Sequence, residues 1–487
     1  MKKKVLLINP SVSKIKHLTP KDLPLALLYV ASRLVDTYDI VILDREIKKE
    51  NERLTKELLD PRLFCVGITV LTGIGIHDAI FCSKKVRELR DDVTIVWGGW
   101  HATNAQESIL IKSYVDYIIQ GEGENVFPEL LNCLEKNESP NSIPGLGYKI
   151  NGKNYLNPPQ FIQNLDDIPR LPYHLIHDIE PYIFNNWIPE GNRCLPLITS
   201  HGCPMGCSFC EVTHYFGKHY GFQSASRIID EVKYLKDMYD IGGIRIYDPN
   251  FFLRFSRVKE FAQMMIDENL NIKWAGDGTV IQFEKIGEDD LNFLYSSGLR
   301  YISLGIESGS EKVRYDILNK KFTNAQCEKV IGKLNKANIE FRFNIILGIP
   351  GETEEDIMES VNFSIDIISR YPNTSFHVYT YLPLPGAPLV ENAQKMGYKL
   401  PKKLEDYTAI NSFNIENLPW LTNKRKRMIN TISTMSIFLS TTSNSIPFKG
   451  IKKYIFSLIR SVFLYRMKKH IFLRTPDIIV IQKTRIL

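Results

Sequence analysis

The sequence predicts an α/β protein with two successive parallel sheets and a mostly helical C-terminal region. Short apolar runs alternate with segments of helical spacing from Lys4 to about Asn137. A second alternation, with longer helices, extends from Arg193 to about Gly397. The remaining residues lack this alternation and carry a basic helical pattern. Such alternation predicts a parallel sheet with helices on both faces.

Length and composition fit several globular domains. A chain of 487 residues, 44% of them hydrophobic, has room for two to four domains with cores of their own. No apolar run reaches the roughly 18 residues of a membrane-spanning helix. The run Val5–Ile8 breaks at Asn9 and Pro10, which predicts a first strand rather than a signal peptide. Eight cysteines without a secretory leader indicate a reducing, cytoplasmic compartment.

The first alternation predicts an open, doubly wound, Rossmann-like sheet over residues 1–140. A helix over Leu25–Leu34 begins after Pro24, whose missing N–H costs nothing there, and another spans His77–Leu89. The predicted strands are Val5–Asn9, Asp39–Leu43, Phe64–Thr69, Thr94–Trp97 and Tyr117–Ile119. Ligands of such sheets bind beyond the carboxyl ends of the strands.

Small and unusual residues gather at those predicted strand ends. They occur in the turns Thr69–Gly75, Gly98–His101 and Gly121–Glu124. Glycines there let the backbone approach a large ligand closely, although ordinary strand–helix turns remain an alternative. The candidate ligand contacts are Thr69, Gly73, Gly75, Gly98, Gly99, His101, Gly121 and Glu122.

A connector rich in Pro and Asn over residues 141–190 separates the two alternations. Its turn-forming composition predicts a long segment lying over both units, with a small hairpin around Tyr148–Tyr155. The second alternation, residues 191–397, has six predicted strands. They are Leu195–Thr199, Gly243–Tyr247, Ile272–Ala275, Tyr301–Gly305, Phe341–Leu347 and His377–Leu382.

The first of these strands leads into three closely spaced cysteines. Cys203, Cys207 and Cys210 follow a C-x3-C-x2-C spacing, which is too tight for a disulfide framework and short of the four ligands of a closed zinc site. Three thiolates suit a [4Fe–4S] cluster whose fourth iron is open to a small molecule. A zinc knuckle or chance clustering is the alternative for the motif on its own.

With Phe209 before the last cysteine, this motif resembles the signature of the radical S-adenosylmethionine (SAM) enzymes. The resemblance implies a partial (β/α)6 barrel, in which SAM binds the open iron and is cleaved to a 5'-deoxyadenosyl radical. Later strand ends resemble the same family, in the segments Tyr247–Phe251, Gly305–Gly309 and Leu347–Thr353. The residues thereby implied to contact SAM are Phe209 near the adenine, Asp248 facing the amino group, Glu307 at the ribose or methionine portion, Gly348 and Gly351.

The first unit resembles the cobalamin-binding domain that precedes many radical SAM barrels. It has that family's Pro-Leu-x-Leu-x-Tyr helix from Pro24, its Gly-Gly-x-His turn and its Gly-Glu-Gly-Glu turn. Some cobalamin domains supply an axial imidazole from an Asp-x-His-x-x-Gly loop, but this chain has Glu46 and Lys49 at the His and Gly positions. The resemblance therefore implies cobalamin without a histidine below the cobalt, with His101 as the alternative ligand.

Together the two resemblances imply a cobalamin-dependent radical SAM methyltransferase. The expected reaction is methylation of an unactivated carbon of a small-molecule or lipid-like substrate, with an electron donor such as flavodoxin or ferredoxin. Oxidative cyclisation or rearrangement is the alternative, followed by an iron–sulfur sensor and by an RNA methylthiotransferase. The last of these needs a second cluster held by three N-terminal cysteines, and the three there, Cys65, Cys82 and Cys133, lie in a predicted strand and in helices and not in a ligand loop. Beyond the cluster cysteines, no catalytic residue is predicted.

The C-terminal region, residues 398–487, concentrates the positive charge. From Leu421 onwards there are fourteen Lys and Arg against one acid, so the net charge of +6 belongs to this tail and nucleic acid is not an expected partner of the catalytic body. Residues 449–472 have helical spacing, with Ile451, Ile455, Leu458, Ile459 and Val462 on one face. Such a helix either packs on the core or rests on an anionic membrane, which would make the protein peripheral to it.

Overall fold

A seven-stranded sheet forms the N-terminal part of the computed structural model, which describes residues 1–12, 21–47, 50–184, 188–371, 373–411, 415–440 and 450–473. Its strands are β1 (Lys4–Asn9), β2 (Asp39–Asp44), β3 (Leu63–Thr69), β4 (Thr94–Gly98), β5 (Tyr117–Ile119), β6 (Leu146–Ile150) and β7 (Lys153–Leu156). The first five run parallel in the order β2-β1-β3-β4-β5. This order confirms the predicted doubly wound sheet and places its topological switch between β1 and β3.

Helices cover both faces of this sheet. They are α1 (Leu25–Ser32), α2 (Glu50–Leu58), α3 (Gly75–Leu89), α4 (Trp100–Asn104), α5 (Gln106–Leu110) and α6 (Gly123–Glu135). Because side chains alternate along a strand, Val5 and Leu7 of β1 pack into the core that contains α1 and α6. Leu6 and Ile8 pack into the opposite core with α3. Lys49, which the axial-loop comparison invoked, lies outside the described residues.

The predicted hairpin in the connector is confirmed as β6 and β7, which add two antiparallel strands to the edge of the first sheet. The rest of the connector contacts both units. Its Tyr182 hydroxyl donates to Asp44 of β2 over 2.7 Å, and the ring of Tyr173 lies 6.0 Å from that of Tyr234 in the second unit. The exact domain boundaries at residues 140, 190 and 397 stay predictions.

Six parallel strands form the second sheet, in the order β15-β14-β13-β12-β11-β8. They are β8 (Cys194–Leu197), β11 (Gly243–Ile246), β12 (Lys273–Gly278), β13 (Leu299–Glu307), β14 (Glu340–Leu347) and β15 (Thr374–Thr380), and the short pair β9 (Ser200–His201) and β10 (Gly221–Phe222) follows β8. All six predicted strands are therefore confirmed to within a few residues, and the sheet has the strand number of the predicted partial barrel.

Helices connect the strands of the second sheet. They are α7 (Val212–Phe216), α8 (Ala225–Tyr239), α9 (Phe255–Asp267), α10 (Val280–Lys285), α11 (Glu288–Ser296), α12 (Asn324–Lys336), α13 (Glu354–Arg370) and α14 (Val390–Lys395). A capping box formed by Thr353 and Asp356 defines the start of α13. The Thr353 hydroxyl accepts from the N–H of Asp356, and the Asp356 carboxylate accepts from the N–H of Thr353. Among the described residues, no helix is both long and apolar enough to cross a membrane.

Two helices end the described chain, α15 (Asn423–Leu439) and α16 (Gly450–Lys468). The first covers β15, where the N–H of Val378 donates to Ser436 Oγ over 2.9 Å. The second packs against α15 and α13, with the ring of Phe463 5.1 Å from that of Phe438. These contacts confirm the helical character predicted for the C-terminal region.

The helix α16 packs on the core, but mostly through other residues than the apolar face that the spacing predicts. Ile455, Leu458 and Val462 are exposed and Ile459 is partly buried against the core, whereas Phe463 and Met467 are fully buried in it. The larger side chains of Phe463 and Met467 bury more apolar area against α15 than the smaller branched ones would, so the helix turns its other face inward. The side chain of Ile451 lies outside the described residues.

One apolar core runs through both sheets. It includes Val5 and Leu7 of β1, Ile302 of β13, Phe343 of β14 and Phe463 of α16. The α1 and α6 face of the first sheet therefore shares its core with the second unit, whereas the α3 face has a separate core.

Candidate functional site

Cys203, Cys207 and Cys210 lie in one loop between β9 and α7, at the carboxyl end of β8. Gly202 opens the loop with a φ of +80°, and a Cβ atom there would lie 2.2 Å from the carbonyl oxygen of His219, so only glycine fits. Burial raises the pKa of all three thiols, to about 12 for Cys210, and the neighbouring thiols add to the rise for Cys207 and Cys210. The loop thus brings the three predicted ligands together.

The donor chemistry of the three thiols fits an iron–sulfur cluster. Among the described residues, no group of three Cys, His, Asp or Glu side chains that could hold a single metal ion is found. Cysteine thiolates are the usual ligands of iron–sulfur clusters, and each binds a different iron of a cubane. Three thiols also leave one iron of a [4Fe–4S] cluster without a protein ligand, as the resemblance to the radical SAM enzymes requires.

Phe209 packs beside the glycine turn at the end of β14. Its neighbours in one apolar cluster include Ile349, Tyr381 and Leu389. The turn is held by Glu352, whose Oε2 accepts from the N–H groups of Gly348 over 2.7 Å and of Ile349 over 3.3 Å. Gly348 and Gly351 have φ angles of +81° and +94°. The structure therefore brings the predicted adenine contact Phe209 and the predicted glycine turn to one place.

Glu307 ends β13 with a φ of +69°, a left-handed conformation that is strained for a residue other than glycine. Its Oε1 lies 2.9 Å from Nζ of Lys320, which also donates to the carbonyl of Gly305 over 2.7 Å. The Lys320 ammonium lies 5.7 Å from the centre of the Phe209 ring. Burial alone would lower the pKa of Lys320. The charges of Glu307 and Cys207 outweigh burial and raise this pKa above its usual value. Sequence reasoning missed Lys320, which joins Glu307 to the cysteine loop.

Asp248 is buried and its carboxylate is occupied by protein donors. It accepts from the N–H of Thr199 over 2.5 Å and from the hydroxyls of Thr199 and Ser200 over 2.6 Å each. These bonds hold the segment that leads to the cysteine loop, while contact of Asp248 with SAM stays a prediction. Two residues further on, the side-chain amide of Asn250 is fully buried and neither Nδ2 nor Oδ1 has a hydrogen-bond partner in the structure. Asn250 is therefore a candidate ligand contact that the sequence did not indicate.

A cavity of about 330 Å³ lies between the carboxyl ends of the first sheet and the β8–β9 segment of the second. Five of the eight residues predicted to contact cobalamin line it, and three do not. Those that line it are Thr69, Gly98, Gly99, Gly121 and Glu122, and those that do not are Gly73, Gly75 and His101. Trp100, Tyr215, Glu124 and His201 line it as well. Because the cavity opens beside β1 and β3, it occupies the position where a doubly wound sheet binds its cofactor.

The cavity wall has features that fit a large polar cofactor. Gly99 has a φ of +89°, and a Cβ atom there would lie 2.9 Å from Thr69 Oγ1 and 3.1 Å from the N–H nitrogen of Val70. Oε2 of Glu124 is buried without a hydrogen-bond partner in the structure, and burial raises the pKa of this carboxyl. An orphaned acceptor in a glycine-lined cavity suits a ligand that carries amide donors, as the corrin of cobalamin does.

His101 lies behind the cavity wall. Its Nδ1 is 3.0 Å from the Thr72 hydroxyl and its Nε2 is 3.3 Å from the Ser108 hydroxyl. The ring packs edge-on against Tyr407, with 4.7 Å between centres. Burial lowers the pKa of His101 to about 4, so the ring is neutral. Both ring nitrogens are engaged locally, and the adjacent Trp100 takes the place at the cavity that the sequence assigned to His101.

Polar contacts join the two sheets around this cavity. His201 Nδ1 lies 2.5 Å from Glu122 Oε1, and the N–H of Ile162 donates to the other Glu122 oxygen over 2.5 Å. The Tyr215 hydroxyl donates to the carbonyl of Gly121, also over 2.5 Å. Since His201 ends β9 and Tyr215 lies in α7, the predicted cobalamin turn contacts both elements that flank the cysteine loop.

Two family models match the chain. The model of the radical SAM superfamily matches residues 197–364, and that of the B12 binding domain matches residues 20–131. The first range contains the three cysteines, Glu307 and the glycine turn, and the second contains the turns that line the cavity.

Two curated relatives and one solved structure are similar to the chain. It is 30% identical over 413 residues to an uncharacterized methyltransferase of Pyrococcus horikoshii, covering 83% of this chain and 86% of the relative. It is 26% identical over 337 residues to the anaerobic magnesium-protoporphyrin IX monomethyl ester cyclase of Rubrivivax gelatinosus, covering 67% of this chain and 59% of the relative. The cobalamin-dependent S-adenosylmethionine radical enzyme OxsB, solved with aqua-cobalamin and S-adenosylmethionine bound, superposes with a TM-score of 0.77 at 16% identity. That superposition covers 99% of this chain and 75% of OxsB, and shows a shared fold.

Proposed function

The chain belongs to the cobalamin-dependent radical SAM enzymes, and from this membership we propose that it transfers a methyl group to an unactivated carbon of a small-molecule or lipid-like substrate. Its cofactors are a [4Fe–4S] cluster, S-adenosylmethionine and cobalamin. When bound, the cluster and SAM supply a radical that abstracts hydrogen from carbon, and cobalamin supplies the methyl group.

One observation carries this proposal: the cavity of the first sheet is closed by the segment that leads to the cysteine loop. Gly98 and Gly121 line it from one side, while Ser200 and His201 line it from the other. A methyl carrier in the cavity would therefore face the end of the barrel where SAM is cleaved. A substrate carbon held between the two cofactors could meet both without leaving the site.

The residues divide into two proposed sets. Cys203, Cys207 and Cys210 hold the cluster, while Phe209 and the Gly348–Gly351 turn form the adenine side. Glu307 binds SAM with Lys320 as its partner, and Asp248 acts beside SAM by holding the Thr199–Ser200 segment. On the cobalamin side, the five predicted residues that line the cavity form the contact surface, with Trp100 added.

The remaining parts of the proposal concern partners and location. Reductive cleavage of SAM consumes an electron, so an electron donor such as flavodoxin or ferredoxin is required. Eight cysteines without a disulfide fit a reducing, cytoplasmic setting.

The cyclase named among the relatives makes an oxidative cyclisation the second candidate. An RNA methylthiotransferase is less well supported, because its second cluster needs exposed cysteine ligands. Cys65 of β3 and Cys82 of α3 are fully buried, and burial raises the pKa of both thiols. Neither offers the ligand loop that a cluster needs.

Methyl-labelled SAM tests the proposal. The protein, purified anaerobically with its cofactors, is incubated with labelled SAM, a reductant and a cell extract as the source of substrate. We expect label in a product, with S-adenosylhomocysteine and 5'-deoxyadenosine formed in comparable amounts. If 5'-deoxyadenosine forms without S-adenosylhomocysteine and without labelled product, the proposal of methyl transfer is wrong. The reaction is then a cyclisation or a rearrangement. The Cys203→Ala variant should form neither product, whereas Cys133→Ala, on α6, should form both.

A further inference from the structure

The helix α16 exposes an apolar stripe along its length. Tyr454, Leu458 and Tyr465 are 73%, 57% and 59% exposed, and Ile455 and Val462 are 46% and 44% exposed. At 1.5 Å per residue, the stripe from Tyr454 to Tyr465 is about 17 Å long. A soluble surface helix turns apolar residues inward, so a continuous exposed stripe marks a surface that another phase or molecule covers.

The opposite face of the same helix is already used by the fold. Phe463 and Met467 are buried, and the ring of Phe456 lies 5.2 Å from that of Phe438 on α15. The buried seam fixes the rotation of the helix about its axis. The packing of α16 therefore turns the exposed stripe outward, and none of the described residues covers it.

Charge indicates what covers the stripe. Between Gly450 and Leu473 the sequence has six Lys and Arg and no Asp or Glu. Lys453 lies next to one end of the stripe and Lys468 and Lys469 next to the other, and all three are exposed. A helix with an apolar stripe, aromatic hydroxyls at both ends and a purely positive flank has the composition of a helix that lies in the interface of an anionic bilayer.

We propose that the α16 stripe rests on the surface of an anionic membrane and makes the enzyme peripheral to it. A second copy of the chain fits less well, because a symmetric contact would bring two sets of lysines together. The proposal goes beyond the reaction, since it holds for methylation and cyclisation alike.

Vesicle flotation with the full chain tests the proposal. We expect the protein to float with vesicles of phosphatidylcholine containing about 30 mol% phosphatidylglycerol and to stay behind with phosphatidylcholine alone. Flotation should fall when salt is raised to about 0.5 M, because surface charges are then screened. Binding to both vesicle types alike, or to neither, would overturn the proposal.

Two variants assign the binding to the stripe. Ile455→Gln, Leu458→Gln and Val462→Gln together should lower the partition coefficient about tenfold or more, because they remove buried apolar area at the interface. Lys453→Glu, Lys468→Glu and Lys469→Glu should do the same at low salt. The matched controls are Met238→Gln on α8 and Lys149→Glu on β6, both exposed and far from α16 in sequence. Circular dichroism and iron content should match the wild type in all four, which separates lost docking from lost folding.

Other occupants of the stripe give distinct results. If light scattering shows a dimer that the triple Gln variant converts to a monomer, a second copy covers the stripe and the proposal is wrong. If flotation appears only after residues 474–487 are removed, that tail covers the stripe and the proposal is equally wrong. Flotation that needs the stripe and the anionic lipid in the intact chain supports it. None of these readouts uses SAM turnover, so they stand apart from the test of the methyl transfer.

Discussion

Lys320 Nζ and Glu307 Oε1 form a buried ion pair, 2.9 Å apart, beside Phe209 and the cysteine loop. Both residues are 7% exposed, so neither charge is stabilised by bulk water. A buried ion pair adds little to stability compared with apolar residues, but breaking one leaves an uncompensated charge. The pair therefore fixes the left-handed end of β13 in the conformation that carries the predicted SAM contact.

Replacing Lys320 by Met should destabilise the fold and weaken SAM binding. The variant leaves the Glu307 carboxylate buried without its cation, which costs about 3–5 kcal/mol in the free energy of unfolding. The double variant with Glu307→Gln should regain part of that loss, because no charge is then left unpaired. Lys321→Met, at the exposed neighbouring position, is the matched control. Urea unfolding and calorimetric SAM titration measure both effects, and equal stability of the Lys320 and Lys321 variants would refute the role of the pair.

Removing the three cluster cysteines should abolish iron binding without unfolding the protein. Cys203, Cys207 and Cys210 are only partly buried in a loop, so their replacement by Ala creates no large core cavity. Iron content, visible absorption and SAM cleavage should all fall to background. The control is Cys133→Ala, a half-buried thiol on α6, which should retain all three. Iron retained by the triple variant would mean that other residues hold the cluster.

We expect cobalamin to bind without an imidazole below the cobalt. Both nitrogens of His101 are engaged by the hydroxyls of Thr72 and Ser108, and Trp100 lines the cavity instead. The EPR spectrum of the cob(II)alamin form should therefore show no nitrogen hyperfine splitting from an axial base, and His101→Ala should leave it unchanged. Nitrogen splitting that disappears in His101→Ala would establish the histidine as the ligand.

His101 should also contribute to acid sensitivity. Burial lowers its pKa from the usual 6.5 to about 4, so the unfolded chain binds more protons than the folded one between these values. Stability is then present above pH 6.5 and is lost as the pH falls through this window, by roughly 3 kcal/mol for one group. The variant His101→Gln should flatten this slope in urea unfolding, whereas His77→Gln, exposed on α3, should not. An unchanged slope would show that His101 is not buried in its neutral form.

Glu352 should have the opposite pH dependence. Burial raises its pKa from the usual 4.5 to about 8, so the folded protein binds more protons than the unfolded chain between these values and stability falls as the pH rises through them. Glu352→Gln keeps an oxygen for the N–H groups of Gly348 and Ile349 and removes the titration. Its stability relative to the wild type should increase from pH 4.5 towards pH 8 in denaturant melts. Glu359→Gln, on the exposed face of α13, should show no such trend, and a parallel trend in both variants would exclude Glu352 as the cause.

The sequence predicts the strands well because each one is a short buried apolar run bounded by turn residues. The six strands of the second sheet and the first five of the N-terminal sheet are all observed near their predicted positions. The cysteine loop is equally predictable, because its ligands are close together in sequence. Local patterns are sufficient where structure and chemistry are both local.

Contacts between distant residues are the part that the sequence does not reveal. His201 meets Glu122 across 79 residues, and Lys320 meets Glu307 across a strand end and a π-helical turn at Val313–Ile317. None of these four residues is unusual at its position in the sequence, so nothing local marks the two contacts. The inward face of α16 was likewise unpredictable, because the helix carries apolar residues on two faces and only its packing against α15 and α13 decides which face is buried.

The core shared by the two sheets has a consequence for synthesis on the ribosome. The N-terminal sheet emerges first, but its α1 and α6 face shares one apolar cluster with the second sheet, and the Tyr29 hydroxyl of α1 donates to the carbonyl of Ile198 after β8 over 2.5 Å. That face therefore stays uncovered until the first strand of the second sheet has been translated, and during that interval it is open to aggregation and to chaperones. Covering it also forms the His201–Glu122 contact beside the cysteine loop. The synthesis of the second sheet thus decides when the nascent protein becomes able to hold its cofactors.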